Sequence, residues 1–248
     1  MLNLLSKSGG LLYHFKARSY SQTIWGPYIN NVYSWLDAWK PKKDKLLLIG
    51  PSSGYSISNR FLNRFKHIDA IEIDPLARLL FSYSHDKKIH WDKQDYFKFS
   101  SNNNFNESFN KISEKYADHA ILFCNFLGQV SFLISNNEDR FLNFESALQE
   151  FVKERSWASY HDIFSINAKA KPIMIGDVSH VNLTVDINKN NVQFAKWLQN
   201  FIEPPKNHEV VVNDHKTFNF FEKTKNINYF AWELQPRQTN IIEAITSN

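Results

Sequence analysis

The stretch Lys45-Leu46-Leu47-Leu48-Ile49-Gly50-Pro51-Ser52-Ser53-Gly54-Tyr55, followed by Ile68-Asp69-Ala70-Ile71-Glu72-Ile73-Asp74-Pro75, decides the fold. Leu46 to Ile49 is a continuous apolar run between charge and glycine, the pattern of a strand buried on both faces. The chain then turns at Gly50 to Gly54. Ile57, Phe61, Leu62 and Phe65 predict a short helix, and Ile68 to Ile73 returns to an apolar strand that ends among Glu72 and Asp74. Pro75 suits the first position of a helix, for which Leu76, Leu79, Leu80 and Tyr83 supply the expected buried stripe.

The alternation continues outward. A third strand is expected at Lys88 to Trp91, a helix at Phe109 to Tyr116, a fourth strand at Ala120 to Cys124, a helix at Phe141 to Val152 and a fifth strand at Trp157 to Tyr160. Such repetition predicts parallel strands joined by right-handed crossovers, a doubly wound α/β sheet. Upstream, Trp25, Ile29, Val32, Tyr33, Leu36 and Trp39 carry helical spacing that stops near Pro41. Residues 1–44 therefore read as a helical extension and 45–248 as the main domain, with an insertion near 163–190. There, Ile173 to Ile175 and Val181 to Ile187 suggest a hairpin. Val192 to Ile202 reads as a helix, and Val210 to Val212 and Tyr229 to Leu234 as two closing strands.

In an open parallel sheet, ligands lie beyond the carboxyl ends of the strands at the switch point, so Gly50 to Ser56, Glu72 to Asp74, Asp95 and Asn125 should converge. A dinucleotide turn needs glycine at 50, 52 and 55, and Ser52 and Tyr55 stand at two of these. A P-loop needs Gly-Lys-Ser/Thr where Tyr55-Ser56 stands. What fits is a two-glycine turn admitting a compact ligand, with Glu72 placed to accept hydrogen bonds from ribose hydroxyls.

On Leu47 to Tyr55 and Ala70 to Pro75, the sequence resembles the class I S-adenosylmethionine-dependent methyltransferases, from about Lys45 to Gln129. The resemblance implies a methyltransferase-like Rossmann fold, with a mostly parallel seven-stranded sheet and helices on both faces. It implies methyl transfer with S-adenosylmethionine as cofactor. By position, Gly50, Ser52 and Gly54 would pass under its methionine and ribose, Glu72 would hold the ribose and Ile73 would lie against the adenine. Asp95 would accept from the adenine amine with Tyr96 or Phe97 as ring neighbour, and Asn125 would face the reacting centre. The family often has an acidic residue at Leu48 and a glycine at Ser52. The turn also resembles the aminopropyltransferases, but their carboxylate at the end of the fourth strand is Asn125 here. A catalytically inactive binding protein of the same fold is the other alternative, recognisable by a crevice blocked by Leu48 or Phe126.

A methyl sulfonium is already activated, so the protein must align a nucleophile and remove its proton where it has one. Tyr160-His161-Asp162, at the expected end of the fifth strand, supplies His161 and Asp162 as candidates beside Asn125. Adjacent strand residues point to opposite faces, so His161-Asp162 is not a dyad by sequence alone, and a histidine capping a local turn is the other reading. Asp214-His215 and His180 are further clusters that could reach the pocket, and Tyr13 and Arg18 could meet the cofactor carboxylate. The nine histidines show neither His-Glu-x-x-His nor His-x-His spacing, and no metal site is expected. Cys124, inside an apolar strand, reads as a structural thiol. Asn125-Phe126-Leu127-Gly128 lacks the Asn-Pro-Pro-aromatic pattern of related nucleobase enzymes, so a small molecule or peptide is the expected substrate.

Composition bounds the rest. The 248 residues carry 29 Lys and Arg against 25 Asp and Glu, a net charge of +4 with opposite signs interspersed, which does not favour nucleic acid as a partner. No apolar run approaches the ~20 residues of a membrane helix. Met1 to Phe15 has no continuous apolar core of an export signal, and a single cysteine excludes an internal disulfide framework, so a cytoplasmic location is expected.

Overall fold

A computed structural model describes residues 11–99, 104–134, 137–171, 192–203, 210–218, 220–221 and 227–247. In chain order the elements are α1 (Leu11–Tyr20), α2 (Gly26–Ala38), β1 (Lys45–Ile49), α3 (Asn59–Leu62), β2 (His67–Ile71), α4 (Pro75–Ser84), β3 (His90–Asp92), α5 (Phe105–Lys115) and β4 (His119–Cys124). A 3-10 turn (Leu127–Gln129) leads to α6 (Val130–Leu133) and α7 (Glu138–Val152). The last are β5 (Trp157–Ile166), β6 (Lys169–Ala170), α8 (Val192–Leu198), β7 (Ile202–Glu203), β8 (Val212–Asp214), β9 (Ile227–Gln235) and β10 (Gln238–Thr246).

The main sheet runs β3-β2-β1-β4-β5-β10-β9, with β8 added on β5, and β6 pairs with β7 separately. Strands β3, β2, β1, β4 and β5 are parallel, whereas β10 is antiparallel to both β5 and β9. Seven strands form the expected doubly wound path, and β8 makes the sheet eight-stranded. Alternation along β1 sends Leu46 and Leu48 to one face, where Trp35 and Leu36 of α2, Phe61 of α3 and Phe81 of α4 pack. Leu47 and Ile49 face Phe109 of α5 and Phe144, Leu148 and Phe151 of α7 on the other. Each fully buried side chain of this size contributes roughly 1.5–3 kcal/mol. A satellite cluster joins α8, through Phe194 and Trp197, to Phe164 and Ile241.

Local chemistry explains the element starts. Asp74 caps α4, accepting from Leu76 N–H at 2.8 Å, and Pro75 follows at the first helical position. The stripe expected on α4 does not hold: Ala77 and Phe81 are buried, while Leu79 and Tyr83 are 67% and 90% exposed. Phe81 sets the helix rotation by packing against Gly54, whose added Cβ would lie 2.5 Å from the Phe81 ring.

Three further boundaries differ from expectation. The fifth strand continues six residues past Tyr160, because His161 and Asp162 are buried and have polar partners inside the sheet. The strand expected at Tyr229 to Leu234 is β9, but it closes the sheet as a hairpin with β10 rather than with a strand at Val210 to Val212, where Val212 begins only the short β8. Residues 163–166, placed in an insertion by sequence, belong to β5, and helix α8 ends at Leu198. The expected hairpin at 173–187 lies outside the described residues.

Candidate functional site

The carboxyl ends of the parallel strands open onto a crevice of about 1560 Å³. It lies where the crossovers diverge, with β1–β2 on one side and β4–β5 on the other. Gly50, Ser52, Gly54, Glu72, Ile73, Asp95, Tyr96, Asn125 and Asp162 all line it, so nine of the ten residues singled out by sequence meet in one place.

The turn after β1 is held by left-handed backbone at Gly50 (φ 63°), Ser52 (φ 49°) and Gly54 (φ 68°). Its glycines serve close packing rather than ligand approach alone. A Cβ on Gly50 would stand 3.0 Å from Phe126 Cβ, and one on Gly54 would overlap Phe81 and His85. Ser52 fits without a glycine because its N–H is anchored, donating to Glu72 Oε2 at 3.0 Å. Glu72 Oε1 accepts from Asp74 N–H at 2.9 Å. Burial raises the Glu72 carboxyl, and these two N–H groups oppose that shift. The carboxylate is thus fixed at the crevice wall with lone pairs left on both oxygens.

Past β3, Asp95 is exposed at the rim and caps Lys98 N–H at 2.9 Å. Tyr96 is buried and gives its hydroxyl to Asp92 Oδ2 at 2.7 Å. Burial alone would raise Asp92, but Lys115, Tyr96, the Gln94 N–H and Tyr116 bind its carboxylate and hold it at about 2. Asp92 fastens the loop that carries Asp95 and Tyr96.

On the β5 side the polar groups form one chain. Asn125, at φ 55° just beyond β4, donates from Nδ2 to Asp162 Oδ2 at 3.0 Å and accepts the Asp162 N–H at 2.9 Å. Asn240 Nδ2 donates to Asp162 Oδ1 at 3.1 Å, and Asn240 Oδ1 accepts from Ser165 Oγ at 2.9 Å. Ser165 has one proton, so toward His215 Nε2 at 2.8 Å it accepts. His215 Nδ1 faces the Gly128 carbonyl at 3.0 Å. The chain thus runs from Asp162 through Asn240 and Ser165 to His215 and the Gly128 carbonyl. Burial raises Asp162, opposed by the His215 charge and by the amides of Asn125 and Asn240.

His161 does not belong to the crevice. It is fully buried on the opposite sheet face, with Nδ1 2.9 Å from Ser159 Oγ, Nε2 3.9 Å from Glu243 Oε1 and its ring edge-on to Phe221. Its neighbour Asp162 faces the other way, as strand alternation requires. His215 does reach the crevice, while His180 lies outside the described residues. Tyr13 joins Trp25, Tyr28 and Trp232 as an aromatic wall, whereas Arg18 is exposed and off it. Above the turn, His14 Nδ1 of α1 lies 3.1 Å from Ser53 Oγ. Cys124 touches the crevice but burial pushes its thiol well up, which suits a structural role. Neither Leu48, wholly buried behind the turn, nor Phe126 closes the space. Sequence reading missed Ser165, Asn240 and Gln129; only the pairing of β10 with β5 brings Asn240 and Ser165 together.

The central strand order, the antiparallel return of β10 and the crevice at the switch point agree. The fold is the Rossmann-like fold of the class I methyltransferases. No family model matches the chain, and no curated protein matches it in sequence. Among solved structures it is similar to the S-adenosylmethionine-bound amino pentose methyltransferase CalS10 from Micromonospora echinaspora, at 14% identity over 60% of this chain and TM-score 0.36. That match spans only 55% of CalS10. The N-methyltransferase NodS from Bradyrhizobium japonicum, in complex with S-adenosyl-L-homocysteine, matches at 9% identity over 94% of this chain and 87% of its own, with TM-score 0.38. A methyltransferase from Clostridium acetobutylicum matches at 9% identity over 95% of this chain and 100% of its own, with TM-score 0.39. At this distance the likenesses say nothing of substrate, and the assignment of the methyltransferase fold stands on the chain's own strand order. Among the described residues no helix is long and apolar enough to cross a membrane.

Proposed function

We propose that the chain transfers a methyl group from S-adenosylmethionine to a protic small-molecule or peptide acceptor. The observation that carries this reading is Glu72, a carboxylate held at the end of β2 by Ser52 and Asp74 N–H groups with acceptor capacity turned to the crevice. Residues and space both fit the cofactor. Glu72 would take the ribose hydroxyls, Ile73, Asp95 and Tyr96 the adenine, and the turn from Gly50 through Ser52 to Gly54 the methionine part. A crevice of about 1560 Å³ exceeds the roughly 300–1,000 Å³ of single-ligand pockets, leaving room for an acceptor.

The bound cofactor supplies a methyl group already activated on sulfur. The chain's part is alignment and proton removal. Asn125 and Asp162 orient the acceptor beside the turn, and Asp162 takes its proton, since a raised carboxyl is a better base than an ordinary one. His161 has no part in this reading. We read α1 and α2 as part of an extension to the main domain, and they contribute Tyr13 and Tyr28 to the crevice wall. An aminopropyltransferase reading gains one point, because Asp162 supplies a carboxylate beside Asn125. It still lacks the acidic turn.

Calorimetry with S-adenosylmethionine and S-adenosylhomocysteine tests the proposal. Saturable binding of both is expected, and no heat and no thermal shift at millimolar ligand would overturn it.

A further inference from the structure

At the opposite end of the sheet from the crevice, three imidazoles gather around one carboxylate. Strands β2 and β3 pair Asp69 with His90, and His67 stands two residues before Asp69 on the same face. His67 Nε2 lies 2.9 Å from Asp69 Oδ2, and the rings of His67 and His90 are 4.4 Å apart, tilted by 47°. One ligand atom from each of His67, Asp69 and His90 lies within 4.8 Å of the others. None of these residues serves the crevice.

We propose that His67, Asp69 and His90 bind a divalent first-row metal ion, with Zn²⁺ the expected occupant. Two imidazoles and a carboxylate are borderline donors suited to Zn²⁺, Co²⁺ or Ni²⁺ and poor for Mg²⁺ or Ca²⁺. Bonds of about 2.0–2.1 Å put the ligand atoms of a tetrahedral site ~3.3 Å apart. The His67–Asp69 separation is already near that value. Closing the rest takes side-chain rotation of His90, which is exposed, and of the half-buried His67. Three protein ligands leave a coordination position to water.

A fourth residue supports the carboxylate. His119, buried at the start of β4, reaches across β1 and places Nε2 2.8 Å from the same Asp69 Oδ2. Nε2 donates, since a carboxylate accepts. His119 is a positioning residue of the kind that orients metal-binding carboxylates. The consequence of occupancy is mechanical. Strand β3 has three residues at the sheet edge and, among the described residues, is paired only to β2. A metal between His90 and β2 would staple it, five residues ahead of Asp95.

The inference is independent of methyl transfer, and it is tested on the tag-free, chelator-stripped full chain. Titration with ZnCl₂ by calorimetry should show one equivalent bound and a rise in Tm. CoCl₂ should give visible d–d absorption of low-symmetry nitrogen and oxygen coordination. The double variant H67A/H90A alters exposed and half-buried side chains, so its circular dichroism should match wild type while the 1:1 heat, the Tm rise and the Co²⁺ spectrum disappear. H119Q should weaken Zn²⁺ by roughly 10–100-fold. Absence of saturable 1:1 binding to wild type would overturn the proposal. So would heat and a Co²⁺ spectrum that persist in H67A/H90A, since the metal would then sit elsewhere.

Discussion

Gly128→Ala separates the observed packing from simple propensity, because the two predict opposite signs. Gly128 lies in the 3-10 turn after β4, outside the left-handed region. A glycine there replaced by alanine would ordinarily gain about 0.4–1 kcal/mol, chiefly by restricting the unfolded chain. The structure denies the methyl its room. A Cβ on Gly128 would stand 2.8 Å from both Asp162 Cβ and Asp162 N, and 2.9 Å from Asn125 Oδ1. The first two belong to the backbone of a central strand, or sit one bond from it, and cannot rotate aside. Overpacking of this kind costs about 1–3 kcal/mol. Lifting the turn to relieve it lengthens the two Asn125–Asp162 hydrogen bonds and the one from His215 to the Gly128 carbonyl. A hydrogen bond to a charged group contributes about 1.5–3 kcal/mol. The terms are not additive, and the expected net destabilisation is about 2–4 kcal/mol.

The assay is urea unfolding followed by tryptophan fluorescence, with the midpoint falling and the slope m unchanged. A second readout is the titration of Asp162 by carbon NMR. Losing the Asn125 amide should move its carboxyl further up, since that amide now holds it down. A variant as stable as wild type, or more stable, would refute the packing argument. So would lost stability with an unmoved Asp162 titration, which would separate Gly128 from the polar chain.

Glu72→Ala should weaken S-adenosylmethionine binding by about 1.5–3 kcal/mol, the worth of a charged acceptor, with the fold intact by circular dichroism; an equal dissociation constant would remove Glu72 from the site. Asp92 is lowered from 3.8 to about 2, which at 1.36 kcal/mol per unit corresponds to about 2 kcal/mol of stability. A depressed carboxylate stabilises above its unfolded value, so this contribution should be present above about pH 4 and fade as pH falls toward 2. Asp92→Asn should lower stability at pH 7 and flatten that acid limb, and parallel wild-type and variant curves would contradict the assignment. His161→Ala should destabilise by about 1–3 kcal/mol, as expected for a buried polar side chain, without changing turnover per folded molecule once an acceptor is known. Asp162→Asn should do the reverse, reducing turnover far more than cofactor affinity.

The centre of the sheet was legible because β1 and β4 are apolar in their interiors. β1 and β4 contain no polar side chain between their first residue and their last, and each is followed by a residue in the left-handed region. The far half of β5 and all of β10 hid because polar side chains are buried in them. Tyr160 ended the reading of β5, yet the strand continues through His161, Asp162 and Ser165. In β10, Thr239, Asn240 and Glu243 are all buried, so no apolar run marks it. On α4 two apolar sets competed at helical spacing, and Phe81 prevailed by fitting against Gly54, a contact invisible in one dimension.

The same concealment governed the site. Glu72 and Asp95 follow from the ends of legible strands, while Asn240 and Ser165 sit inside strands that do not look like strands. Burying Asp162 in a parallel sheet would be costly unless each carboxylate oxygen found a donor and its charge a partner. Asn125 and Asn240 supply the donors. Ser165, with one proton, passes the requirement on to His215, and His215 closes it against the Gly128 carbonyl. That chain exists because β10 runs antiparallel beside β5 and sets Asn240 opposite Ser165, which links the return strand of the fold to the carboxylate of the proposed site.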